Sequence, residues 1–144
     1  MNLSIVIPLY NEEQLVISVL EELRVVKYPD FIERVEIIVV DDCSTDKSHE
    51  VVNAYISNRE NIKLFKHEIN QGKGAAVKTG VHHATCENIL IQDADLELRP
   101  MDIPAMLNAM HELKVPFVNG SRYLPGVVRT QAAYKRYFAN KMFT

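Results

Sequence analysis

Apolar positions along the chain fall into short runs rich in Ile and Val, and these alternate with stretches of helical period. That is the pattern of βαβ units around a mostly parallel sheet. LSIVIPLY (residues 3–10) predicts a first strand closed by Pro8. After it, Val16, Val19, Leu20 and Leu23 fall on one helical face, with Asn11 as the expected N-cap, Gln14 three residues on and Pro29 past the end. VEIIVVDD (35–42) reads as a fully buried second strand, and the polar turn CSTDKS (43–48) as the cap of a helix carrying Val51, Val52, Tyr55 and Ile56. IKLFKH (62–67) predicts a third strand. NQGKGAAVKTGVHHA (70–84) predicts a glycine turn opening an Ala-rich helix, and NILIQ (88–92) a fourth strand running into Asp93. A helix around Ile103 to Leu113 and a fifth strand, PFVNGS (116–121), complete the expected α/β pattern.

Composition narrows this without redirecting it. With 144 residues, 47% hydrophobic and 24% charged, the chain fits one globular domain, residues 1–144, with no repeat, linker or low-complexity segment. The net charge of -3 is unevenly placed. No acid follows Glu112, whereas Lys114, Arg122, Arg129, Lys135, Arg136 and Lys141 do. Tyr134, Tyr137 and Phe138 interleave with that basic segment at helical spacing, so it could lie on an anionic membrane surface or, as is commoner, pack on its own domain. Only two cysteines, Cys43 and Cys86, and no basic-then-apolar leader point to reduced thiols in a cytoplasmic setting. No apolar stretch approaches the ~20 residues that span a bilayer. A nucleic-acid partner is not expected.

Candidate chemistry sits where the apolar runs end. In open α/β sheets ligands bind at the carboxyl ends of the strands. Tyr10, Asn11 and Glu12 follow strand one, Asp41 and Asp42 strand two, Asp93 and Asp95 strand four, and Arg122 strand five, so all are expected on one rim. In extended backbone, residues two apart point the same way, which would aim Asp93 and Asp95 at one point, with Glu97 in phase. Carboxylates so placed repel one another unless a cation gathers them. Mg²⁺ or Mn²⁺, held by one or two carboxylates plus substrate phosphates, meets that need and implies a diphosphate ligand. Asp-x-Asp also occurs in ordinary turns and helix caps, and Asp102 fits a cap. Asp41 with Asp42 resembles the acidic pair of a phospho-receiver, but such a domain has its pair after the first strand and a lone Asp after the third, where this chain has FKHEIN. Asp42 is better placed to accept hydrogen bonds from a nucleobase or ribose. Gly72, Lys73 and Gly74 could let backbone N–H groups approach a phosphate, although GKG fits neither a Walker loop nor a dinucleotide fingerprint. His49, His67, His82, His83 and His111 lack acidic or Cys partners at metal spacing and carry no signal.

Taken together, SIVIPLYNEE, VEIIVVDDCSTDKS, NQGKGAAVKTG, ILIQDADLELRPMDI and FVNGSRY resemble, in order and spacing, the family 2 glycosyltransferases of GT-A fold, most of all the dolichyl- and polyprenyl-phosphate mannose and glucose synthases. The resemblance covers nearly the whole chain. It implies a Rossmann-like, mostly parallel sheet with helices on both faces, a UDP- or GDP-hexose donor, and a dolichyl or undecaprenyl phosphate acceptor. It also implies that Pro8, Tyr10, Glu12, Val40 and Asp42 line the nucleoside, and that Gln92 and Glu97 lie near the metal-binding motif. Asp93, Ala94 and Asp95 would form the metal motif, Arg122 would contact donor phosphates, and Lys73 would lie near the donor. Asp93, Asp95 and Arg122 are thus the expected catalytic set. Relatives continue past the equivalent of RYFANKMFT with a further acidic motif, a GF(K/R)-type segment and often membrane helices, so a C-terminal acceptor part is expected beyond Thr144. Three alternatives stand beside this: a non-catalytic nucleotide-sugar-binding fragment, a family 2 transferase building polysaccharide or another glycoconjugate, and, more remotely, a sugar nucleotidyltransferase, whose Gly-rich N-terminal loop is not present.

Overall fold

The computed structural model describes residues 1–120. Arg122, the basic tail and the Tyr134/Tyr137/Phe138 stripe lie outside the described residues. Four parallel strands, β1 (Asn2–Leu9), β2 (Arg34–Asp41), β3 (Ile62–Lys66) and β4 (Asn88–Ile91), form one sheet in the order β3-β2-β1-β4. The helices are α1 (Val16–Val25), α2 (Ser48–Ile56), α3 (Lys73–His83) and α4 (Ile103–Leu113). From β1 the chain builds outward through β2 to β3, then returns to place β4 on β1's other side. This reversal between β1 and β4 is the switch point at which such sheets open a ligand crevice.

Strand alternation sorts the core onto two faces. Leu3, Ile5, Ile7 and Leu9 of β1 and Ile37 and Val39 of β2 pack with the predicted α1 face (Val16, Val19, Leu20, Leu23), with Val52 of α2 and with Ile103 and Leu107 of α4. On the opposite face Ile38 and Val40 meet Ala76 of α3, with Phe65 and Ala84 alongside. Small residues let α3 lie close to the sheet. A Cβ added at Gly80 would come 2.3 Å from Cγ1 of the fully buried Val6. We expect Gly80→Ala to lower stability by about 1–2 kcal/mol, overpacking outweighing the helix propensity gained. Gly74→Ala in the same helix meets nothing within 4 Å and should be neutral or stabilising. Urea midpoints of the two variants check the contrast.

Two expectations change, and one strand is covered on a single face. β1 runs through Pro8 to Leu9 instead of closing there. The Gln92 N–H donates to Val6 O and the Asp42 N–H to Leu9 O, so Pro8's missing donor points to the β4 side, where pairing ends at Val6–Ile91. β4 is not buried on both faces: Ile89 and Ile91 are 44% and 47% exposed, because α3 covers β1 and β2 but not this edge. Residues 116–120 form no strand, and Phe117 is 77% exposed. Strand propensity expresses fit to a pleated, half-buried surface, and Phe117 finds none among the described residues.

Candidate nucleotide-sugar site

An open cleft of about 380 Å³ sits at the carboxyl ends of β1, β2 and β4. Pro8, Tyr10, Glu12, Asp42, Gly72, Lys73, Asp93, Ala94 and Asp95, nine of the residues singled out in the sequence, line it together with Leu9, Asn70 and Ala76. Val40 does not reach it. It shares the α3 face with Asp42 but is fully buried beneath Ala76, whereas Asp42, 2% exposed, contributes to the cleft wall.

The loop after β1 is tied to the loop after β2. Asn11 is not a helix cap: at φ 54° its Oδ1 accepts from the Thr45 N–H (2.8 Å), the Thr45 hydroxyl and the Asp46 N–H. Ser44 Oγ accepts from the Asn11 N–H and Ser48 Oγ from the Glu12 N–H. These bonds hold Tyr10 and Glu12 at the rim. Asp41 and Asp42 do not act as a pair, since neighbouring strand residues face opposite sides. Asp41 is fully buried on the α1 face, where Oδ1 accepts from the Ser44 N–H and Oδ2 lies 3.2 Å from His49 Nδ1 outside hydrogen-bonding geometry.

Asp42 lines the cleft yet spends its oxygens inside the protein. Oδ1 accepts from His67 Nδ1–H (2.7 Å) and the Gln71 N–H (2.9 Å), and Oδ2 from the Gly72 N–H (2.7 Å). Burial alone would raise its pKa, but these donors outweigh it and hold the carboxyl below its usual range. His67 Nε2 lies 2.9 Å from the Thr79 hydroxyl on α3. A buried strut, Thr79–His67–Asp42, therefore fixes the Gln71–Gly72 turn, where Gly72 adopts φ 88°. Nothing local in the sequence marked His67, because its partners lie 25 and 12 residues away.

The acids after β4 are not on extended backbone. Residues 94–98 turn, with Leu96 at φ 59°, and the Gln92 amide braces the turn by donating to Asp93 O (3.2 Å) and Leu98 O (2.7 Å). Asp95 Oδ1 accepts from the Glu97 N–H at 3.0 Å, and Asp93 Oδ1 is 2.5 Å from Lys73 Nζ. A turn, not strand phase, brings both carboxylates to the cleft. Their donor set fits a hard divalent cation. Among the described residues no group of three acids, histidines or cysteines is placed to hold a metal ion.

The profile of the family described as "Glycosyl transferase family 2" matches residues 4–143. The chain belongs to this family. It is 30% identical to the dolichol-phosphate mannosyltransferase of Saccharomyces cerevisiae over 86% of its own length and 46% of the yeast protein. It is 36% identical to a dolichyl-phosphate beta-glucosyltransferase of Trichomonas vaginalis over 84% of its length and 39% of that protein. Among solved structures, S. aureus TarS 1-349 with UDP superposes with a TM-score of 0.70 at 26% identity, covering 94% of this chain and 40% of that one. Mannosyltransferase PcManGT from Pyrobaculum calidifontis, in complex with GDP-Man and Mn²⁺, superposes at 0.66 with 30% identity, covering 81% and 33%. The fold of this family 2 chain is thus GT-A, and the chain spans less than half the length of these relatives. No helix among the described residues is long and apolar enough to cross a membrane.

Proposed function

We propose that residues 1–144 form the nucleotide-sugar-binding domain of an inverting, metal-dependent transferase that moves a hexose from a UDP- or GDP-sugar to a polyprenyl phosphate. One observation carries this reading: residues from three strand ends and the α3 N-terminus meet in a single cleft with two carboxylates on one wall and a helix start on the other. The names of the yeast and Trichomonas relatives support the lipid acceptor, and the complexes of TarS and PcManGT support the donor class and the metal.

Breaking the bond between the anomeric carbon and the diphosphate builds negative charge on the leaving oxygen. Asp93 and Asp95 would hold Mg²⁺ or Mn²⁺, which when bound stabilises that charge as a Lewis acid. Pro8, Tyr10 and Glu12 form the wall for the nucleoside, with Asp42 acting through the turn that it shapes rather than by direct contact. Gly72 to Gly74 open α3 toward the phosphates, since a helix N-terminus attracts anions. Arg122, carried by the resemblance of its GSRY segment, is proposed as a fixed cationic fork on the donor phosphates. A lipid phosphate, whose second pKa is near ~6, is largely ionised at neutral pH and needs positioning more than deprotonation.

A thermal-shift panel of UDP- and GDP-sugars with Mn²⁺ tests the donor. The correct one at a hundred times its Kd should raise Tm by about 5–10 °C. Incubating that labelled donor with dolichyl phosphate, or with a saccharide acceptor, tests the rest. Label in the lipid is expected, and label in the saccharide alone would overturn the acceptor.

A further inference from the structure

Lys73 is the first residue of α3, and its ammonium lies 2.5 Å from Asp93 Oδ1, across the cleft from its own helix. The pair is asymmetric in burial: the Lys73 side chain is 62% exposed and free to swing, while Asp93 is 21% exposed and held by the braced turn. Lys73's base is held as firmly, because the Asp42 carboxylate grips the Gln71 and Gly72 N–H groups just before it. The ammonium stands where a hard cation would approach Asp93, and two cations on one carboxylate oxygen repel. A compact charge on a flexible stem is suited to change partners. A diphosphate entering at the start of α3, where nothing crowds Gly74, would offer it more negative charge than Asp93 does.

We propose that Lys73 is a tethered counter-ion to Asp93 that is transferred to the diphosphate on binding, so that metal and nucleotide load together and metal alone is disfavoured. This rests on the reading of the cleft as a nucleotide-sugar site. Its signature is a crossed effect, in which one substitution strengthens one ligand and weakens the other.

The test titrates Mn²⁺ into the 144-residue chain, reading free Mn²⁺ by electron paramagnetic resonance with and without UDP or GDP. Lys73→Met removes the charge and keeps the stem. Removing an exposed ion pair should tighten binding of Mn²⁺ alone roughly two- to fivefold. The same variant should lose affinity for the nucleoside diphosphate, and the strengthening of Mn²⁺ binding by nucleotide should shrink. Lys73→Arg, which keeps a positive charge beside Asp93, should not show the tightening of Mn²⁺ binding. If Lys73→Met binds Mn²⁺ no more tightly than the parent, including the case where neither binds measurably, the counter-ion role is overturned. Asp93→Asn separates this from the underlying reading. Should that variant keep the parent's Mn²⁺-dependent nucleotide binding, the metal site itself is wrong. If it loses that binding while Lys73→Met leaves Mn²⁺ unchanged, only the counter-ion role falls.

Discussion

Asp93→Ala and Asp95→Ala are each expected to weaken Mn²⁺-dependent binding of the nucleotide-sugar by at least about 100-fold, since even the residues that support metal ligands are worth ten- to a hundredfold. What little binding survives should no longer respond to metal. The fold should persist. Asp93's partner is the exposed Lys73, and exposed ion pairs contribute at most about 1 kcal/mol, so the unliganded variants should unfold within a few degrees of the parent. Calorimetric titration with and without Mn²⁺, beside a melting curve, reads both halves. Parental affinity in both variants would reduce the turn over 93–98 to an ordinary Asx turn, with Asp95 merely accepting from the Glu97 N–H.

The second large effect is at the other end of the sheet. Glu36 is 5% exposed, and its carboxylate accepts from Ser4 Oγ (2.6 Å), the Thr85 N–H (2.6 Å) and the Thr85 hydroxyl (2.9 Å), with Lys63 Nζ at 3.3 Å. Burial opposes the charge, but the donors prevail and lower the pKa from 4.5 to about 2. A carboxyl depressed in the folded state lends its stability in full above the unfolded pKa of 4.5 and loses it as pH falls from there through about 2. The shift corresponds to on the order of 3 kcal/mol. Glu36→Gln should therefore be less stable than the parent at pH 7, and the gap should close as pH drops through that window. Asp42 and Asp46, also held below their usual range, tilt both proteins the same way, so the difference between parent and variant isolates Glu36. Urea unfolding at pH 7, 4 and 2.5 measures it. A gap that stays constant with pH would mean that shape, not charge, makes Glu36 matter.

What sequence reasoning could reach followed from periodicity. The α1 face of Val16, Val19, Leu20 and Leu23 is buried as its spacing requires, and the four strands stand where the Ile/Val runs end in polar residues. It failed where one local pattern serves two geometries. Asn11, three residues before Gln14, looks the same as a cap or as a bridge to Thr45, and only the second loop's position decides. Asp93 and Asp95 were correctly drawn to one cleft, but through a turn at Leu96 rather than through strand phase. Val40 had the right parity and the wrong depth, since no strand pattern says how far a helix overlies it. His67 was illegible because its meaning lies in partners that only the folded chain brings near, whereas Gln92, named through the resemblance, acts locally by bracing the turn that follows it.

Cys43 and Leu96 hold their backbones at φ 62° and 59°, a region that most side chains enter at a cost of roughly 1 kcal/mol or more, and Asn11, whose short amide enters it more readily, sits at φ 54°. All three follow strand ends that frame the cleft. Substitutions that relaxed these bends would give a hardier protein with a blunter cleft. Selection for heat tolerance and selection for a sharply bent rim would therefore pull these three positions in opposite directions.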